Sequence, residues 1–149
     1  MSVSVFPRRA FVAAVLSGVT AASAIGLGLY GGLSMPESQD FGFSRGVKWA
    51  AQDGERLRGF LARALEDDRI HVTIFGHSGS AGDAAANFDL SVERAEVARA
   101  VAQDLGITTD RMTVQGLGGG RPLPKTDGES ERAYQTRLSR VEVILQMRK

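Results

Sequence analysis

The sequence predicts an α+β sandwich of order β-α-β-α-β-β, its helices packed on one mixed sheet, preceded by one N-terminal hydrophobic helix. Three observations carry that reading. Ile70–Phe75 and Arg140–Gln146 alternate apolar and polar residues with the period of a half-buried strand. Ala95, Ala98, Val101 and Leu105 recur at helical spacing. Strands alternating with helices place the helices as crossovers against a partly parallel sheet.

Phe11–Leu33 is an uncharged run of 23 residues following Arg8 and Arg9, with Phe11, Val15, Leu16, Ile25 and Leu29 among its apolar side chains. About 20 such residues span a bilayer, so the run fits a transmembrane signal-anchor. The arginines on its N-terminal side keep that end cytoplasmic and send the rest outward. A cleaved export signal is the competing reading. Arg8-Arg9-Ala-Phe-Val resembles a twin-arginine signal, and Ala22-Ser23-Ala24 offers a small-residue cleavage site. Residues 1–34 are therefore an anchor or export signal, 35–40 a polar linker, and 41–149 the folded domain.

Within that domain, Phe41-Gly-Phe43 opens a short strand. A first helix is expected over 48–65, with Leu57, Phe60, Leu61 and Ala64 on its inner side and Gly54 and Gly59 weakening it. Residues 76–88 read as a loop. The second helix is expected over 91–105, with Ser91 as N-cap, Glu93 in its first turn and Gly106 as its stop. Met112–Gln115 is a third strand, followed by a glycine-rich turn at 116–124 and a charged stretch to Arg137. Arg94 precedes Ala98, Val101 and Leu105 by four, seven and eleven residues and so lies on the inward stripe. A guanidinium there wants an anion, unless it curls to the surface or pairs with a local glutamate.

Lysine plus arginine number 18 against 17 aspartates and glutamates. That balance argues against general nucleic-acid binding, which needs a basic face. With no cysteine there is no disulfide framework and no acylated lipoprotein cysteine. Gly76-His77-Ser78-Gly79-Ser80 approaches the nucleophile elbow of α/β-hydrolases, but the last glycine is missing and both histidines, His71 and His77, precede the serine. His77 reads as a structural hydrogen-bonder at a strand end. No zinc-ligand spacing occurs, so no enzyme, metal or cofactor is expected.

Asn87-x-x-Leu90-Ser91-x-x-Arg94-Ala95, together with Gly76-His77-Ser78, Gly82, Gly106-Ile107, Gly116-Leu-Gly118 with Pro122, and Arg140-Val141-Glu142, resembles the OmpA-like C-terminal domain family. The resemblance runs from about Phe43 to Leu145. It implies a non-catalytic, peptidoglycan-binding domain on the periplasmic side of a bacterial inner membrane. In that family an aspartate accepts the ammonium of the stem peptide's diaminopimelate and a helix arginine holds its carboxylate. The implied site residues here are Arg94, Asn87, Ser78, Gly79 and Arg140.

Two departures stand out. Gly79 occupies the aspartate position, and Leu138-Ser139 replaces the Asn-Arg pair before the last strand. Asp83 and Asp89 are candidate substitutes for the lost acid. Taken alone, Asn87 also reads as a loop amide capping a turn, and Arg140 as a strand-flanking residue. Two functions thus stay open: docking on peptidoglycan from a membrane-tethered chain, or a degenerate domain serving as an interaction subunit of an inner-membrane complex beside other envelope proteins. A stator role is disfavoured because Phe11–Leu33 has no acidic residue to carry protons.

Overall fold

A computed structural model of the protein describes residues 36–148. The expected N-terminal helix, with Phe11, Val15, Leu16, Ile25 and Leu29, lies outside them. Among the described residues no helix is long and apolar enough to cross a membrane.

In chain order the elements are β1 (Glu37–Arg45), β2 (Lys48–Trp49), α1 (Asp53–Ala62), β3 (Ile70–Gly76), α2 (Ala84–Asp104), β4 (Met112–Gly116), α3 (Glu131–Leu138) and β5 (Arg140–Met147). A 3-10 turn at Arg63–Leu65 extends α1, and another at Thr109–Arg111 leads into β4. The sheet order is β2-β1-β5-β3-β4. β3 and β4 run parallel, while β5 is antiparallel to both β1 and β3. Three helices pack on this five-stranded mixed sheet, an α+β fold as expected.

The core follows from the alternation. Ile70, Val72 and Ile74 of β3 and Val141, Val143 and Leu145 of β5 point inward with Phe41 and Phe43 of β1. Leu57, Phe60 and Leu61 from α1 and Ala95, Ala98 and Ala102 from α2 close over them. The small residues of α2 let it approach the sheet closely. At Gly76 an added Cβ would stand 1.9 Å from the Ser91 carbonyl oxygen, and at Gly116, its register partner, 2.5 Å from Val92 Cγ2. These two glycines seat α2 directly on the ends of β3 and β4.

Four expectations need correction. The stretch assigned to a linker runs as strand from Glu37, because Glu37–Asp40 pairs with β5 from Leu145 to Glu142. The first helix starts at Asp53, since Lys48 and Trp49 pair with β1 and the indole stacks on Phe43 with ring centroids 4.3 Å apart. The second helix starts at Ala84, capped by Asp83, whose Oδ1 accepts from the Ala86 amide at 2.8 Å. Ser91 is therefore not an N-cap but a buried residue inside α2. Finally, the charged stretch contains α3. Its N-cap is Ser130, its one buried residue Leu138, and its few apolar positions left no stripe to read.

Candidate functional site

Ser91 spends its hydroxyl on two backbone groups, donating to the Phe88 carbonyl at 2.6 Å and accepting from the Gly118 amide at 2.8 Å. It thereby ties α2 to the glycine-rich turn. One turn further, Arg94 is 3% exposed. Its Nε donates to the Gly46 carbonyl at 2.9 Å and its Nη1 to the His77 carbonyl at 2.9 Å, while the guanidinium lies 5.1 Å from the centre of the Phe43 ring. The arginine is thus inward-facing, as its stripe position implied. The partners it finds are carbonyl dipoles and an aromatic face, and burial alone lowers its pKa from the usual guanidinium value. Among the described residues no carboxylate pairs with it.

His77 is the hub of the strand end. Its amide donates to the Arg140 carbonyl at 2.9 Å and its own carbonyl receives Arg94. The ring is 1% exposed, and neither ring nitrogen has a hydrogen-bond partner; Glu142 Oε2 stands 3.7 Å from Nε2. The expected hydrogen-bonding role thus belongs to its backbone, not its imidazole. Burial first, and Arg140 second, push its pKa down to about 4, so the ring is neutral at pH 7.

Arg140 is buried and faces Asp40 of β1, Nε to Oδ2 3.3 Å. Burial raises the pKa of Asp40 against the opposing pull of this arginine. Arg140 and Arg94 therefore flank His77 on separate neighbours, Arg140 facing Asp40 and the carbonyls of Leu138 and Arg121.

Ser78 is buried, with its amide donating to the Gly118 carbonyl at 3.0 Å and its hydroxyl to the Gly79 carbonyl at 3.2 Å. At Gly79, a Cβ would stand 2.5 Å from Oε1 of Gln135. That amide reaches over from α3. Its Oε1 accepts from the Ser80 amide at 3.0 Å, and its Nε2 donates to Ser80 Oγ at 3.1 Å and to Glu131 Oε1 at 2.7 Å. The space for an acid at position 79 is filled by a neutral amide. Neither candidate substitute acid replaces it, because Asp83 is occupied as the cap of α2 and Asp89 points to solvent. Gln135 had no sequence signal, since nothing marked its helix.

Asn87 sits in the first turn of α2, its Nδ2 donating to the Ala81 carbonyl at 2.9 Å. With Phe88, the 79–82 loop and Leu117–Gly120 it lines a groove of ≈ 310 Å³. The structure thus gathers Asn87 and Gly79 at the groove and leaves Ser78, Arg94 and Arg140 outside its lining. Among the described residues no group of three or more metal-ligating side chains comes together.

The OmpA family profile matches residues 51–136. Among solved structures, the peptidoglycan-associated lipoprotein of Burkholderia pseudomallei superposes with a TM-score of 0.60 at 24% identity, covering 73% of this chain and 89% of that one. The OmpA-like domain of FopA1 from Francisella tularensis gives 0.62 at 19%, covering 76% and 77%. The C-terminal domain of Helicobacter pylori MotB gives 0.61 at 15%, covering 73% and 84%. At these identities the likeness is one of fold. A segment of 77 residues is also 35% identical to part of the photosystem I P700 chlorophyll a apoprotein A2 of Gloeobacter violaceus, half of this chain but only 9% of that protein. The profile covers more than half of the sequence and the fold is shared with the solved domains, so the chain belongs to the OmpA family.

Proposed function

We propose that the protein docks on peptidoglycan from the periplasmic side of the inner membrane, without catalysis, with residues 1–34 as membrane anchor or export signal. The observation that supports this best is Arg94. It is a buried guanidinium with a full positive charge and, among the described residues, no carboxylate to balance it. Carbonyl dipoles satisfy part of its donor set, yet leave a net cation that a stem-peptide carboxylate, such as that of diaminopimelate, would complete. Asn87 and the Gly79–Gly82 loop border a groove whose lining does not include Arg94, so a ligand carboxylate would have to open the cover over the guanidinium.

The second reading is a domain that has lost the wall ligand and serves as an assembly subunit among other envelope proteins. Gln135 favours it, because a neutral amide stands where a ligand ammonium would meet an acid.

Co-sedimentation of the full chain, held in mild detergent, with purified sacculi decides between the two. Wild type is compared with Arg94→Lys, which keeps the charge but not the fork geometry. The docking reading expects wild type to pellet and Arg94→Lys to pellet at least about tenfold less well, a loss of roughly 1.4 kcal/mol. Folded wild type that stays in the supernatant sinks this reading and leaves the assembly subunit.

A further inference from the structure

Arg94 is covered by a hairpin that has little else to hold it. Gly46 and Val47 form the two-residue turn between β1 and β2, where Arg45 pairs with Lys48. Residues 44–48 are all exposed, and an added Cβ at Gly46, whose φ is +54°, would meet nothing within 4 Å. Among the described strands β2 ends the sheet, so none supports the hairpin from its outer side. The register slips between Phe43 and Arg45, and Ser44 Oγ divides one proton between the Lys48 and Trp49 carbonyls at 3.2 and 3.3 Å. The base beneath is firm. Phe43 is buried, Trp49 stacks on it, and the Ala50 amide donates to the Gly42 carbonyl at 2.9 Å. Among the described residues, one hydrogen bond reaches 44–48 from elsewhere in the fold: that from Arg94 Nε to the Gly46 carbonyl, 2.9 Å.

That bond uses half of a fork. The Nε–H and one N–H of Nη2 point side by side from a guanidinium, at the spacing of the two oxygens of a carboxylate. The Gly46 carbonyl takes Nε, the His77 carbonyl takes Nη1, and among the described residues Nη2 has no partner. A carboxylate would fill both positions on that edge, and its charge makes each bond roughly twice as strong as one to a neutral carbonyl. We propose that the hairpin of residues 44–48 is a lid latched over Arg94 by the Gly46 carbonyl, and that an incoming carboxylate opens it by taking the Nε–Nη2 edge. The lid turns about Ser44 and Lys48 while Phe43 and Trp49 stay packed. Arg45 and Lys48 travel with it and bring positive charge to the opening. This rests on the cell-wall reading above and deepens it: the buried arginine is reached only by ligands able to displace its latch.

Phenylglyoxal, which modifies accessible guanidinium groups, tests the lid on the full chain in mild detergent, with peptide mass spectrometry following Arg94. A lid opens locally, so the Arg94 rate stays flat across urea concentrations well below the unfolding midpoint. Ser44→Ala loosens the neck of the hairpin and raises that rate by about threefold to tenfold, with the urea midpoint little changed. The rate at Arg140, another buried guanidinium, is the same in this variant as in wild type. Sodium acetate slows modification of Arg94 relative to sodium chloride at equal ionic strength, because the carboxylate occupies the open fork. The proposal is overturned if the Arg94 rate climbs with urea in step with global unfolding, if Ser44→Ala leaves it unchanged, or if acetate acts no differently from chloride. Sacculus pelleting of the same preparation keeps the lid and the docking apart. Pelleting by a chain whose Arg94 is freed only by global unfolding removes the lid and leaves docking. Local opening with acetate protection but no pelleting removes docking and leaves the lid.

Discussion

At Gly76 a hydrogen is the largest substituent the fold admits. A methyl there would meet the Ser91 carbonyl at 1.9 Å, so helix or strand must move. Gly76→Ala is expected to destabilise the domain by about 3 kcal/mol or more, read from the urea midpoint. His77, one residue on, predicts the acid response. Its folded pKa, about 4, lies below the ordinary 6.5, so the unfolded chain binds the extra proton first. Its contribution is fully present above pH 6.5 and is lost as the pH falls towards 4, by about 3 kcal/mol at most. His77→Gln should flatten the stability profile across that window, measured as urea midpoint against pH. Legibility was uneven at this scale. The inward setting of Arg94 was readable from its spacing to Ala98, Val101 and Leu105. Its partners were not, because Gly46 and His77 supply backbone carbonyls from distant segments, and carbonyls carry no side-chain signature. Gln135 was illegible for a related reason, since a surface glutamine on an unmarked helix looks like any other.

At the scale of elements, the second helix shows how an N-cap can be misplaced. Asp83 and Ser91 both suit the role by residue type, and the motif drew attention to the later one. The structure settles their jobs differently. Asp83 caps the end of α2, whereas Ser91 bonds α2 to the glycine turn from inside the helix. Asp83→Ala should cost about 1 kcal/mol, the usual worth of a cap. Ser91→Ala should cost about 1–3 kcal/mol, because it leaves the buried Gly118 amide without an acceptor. Parallel urea titrations of the two variants give the order. β3, β4 and β5 were legible because each alternates cleanly. α3 was not, because it buries only Leu138 and is held by its Ser130 cap and by ion pairs such as Arg137–Glu129 at 2.8 Å. β2 was absorbed into the first helix for want of a breaker before Asp53.

For the whole molecule, the position of β5 matters most. The last strand in sequence is central in space, paired with β1 on one side and β3 on the other. A chain stopped after Ser139 would lose the strand that joins the two halves of the sheet. It is expected to lack cooperative unfolding and native amide dispersion, a result checked by one spectrum. The beginning of β1 has a different consequence. Because the sheet takes up the chain at Glu37, only residues 34–36 separate it from the apolar run that ends at Leu33. A cut meant to release the domain from that run therefore has to fall before Glu37, because removing Glu37–Asp40 strips β5 of its partners from Leu145 to Glu142.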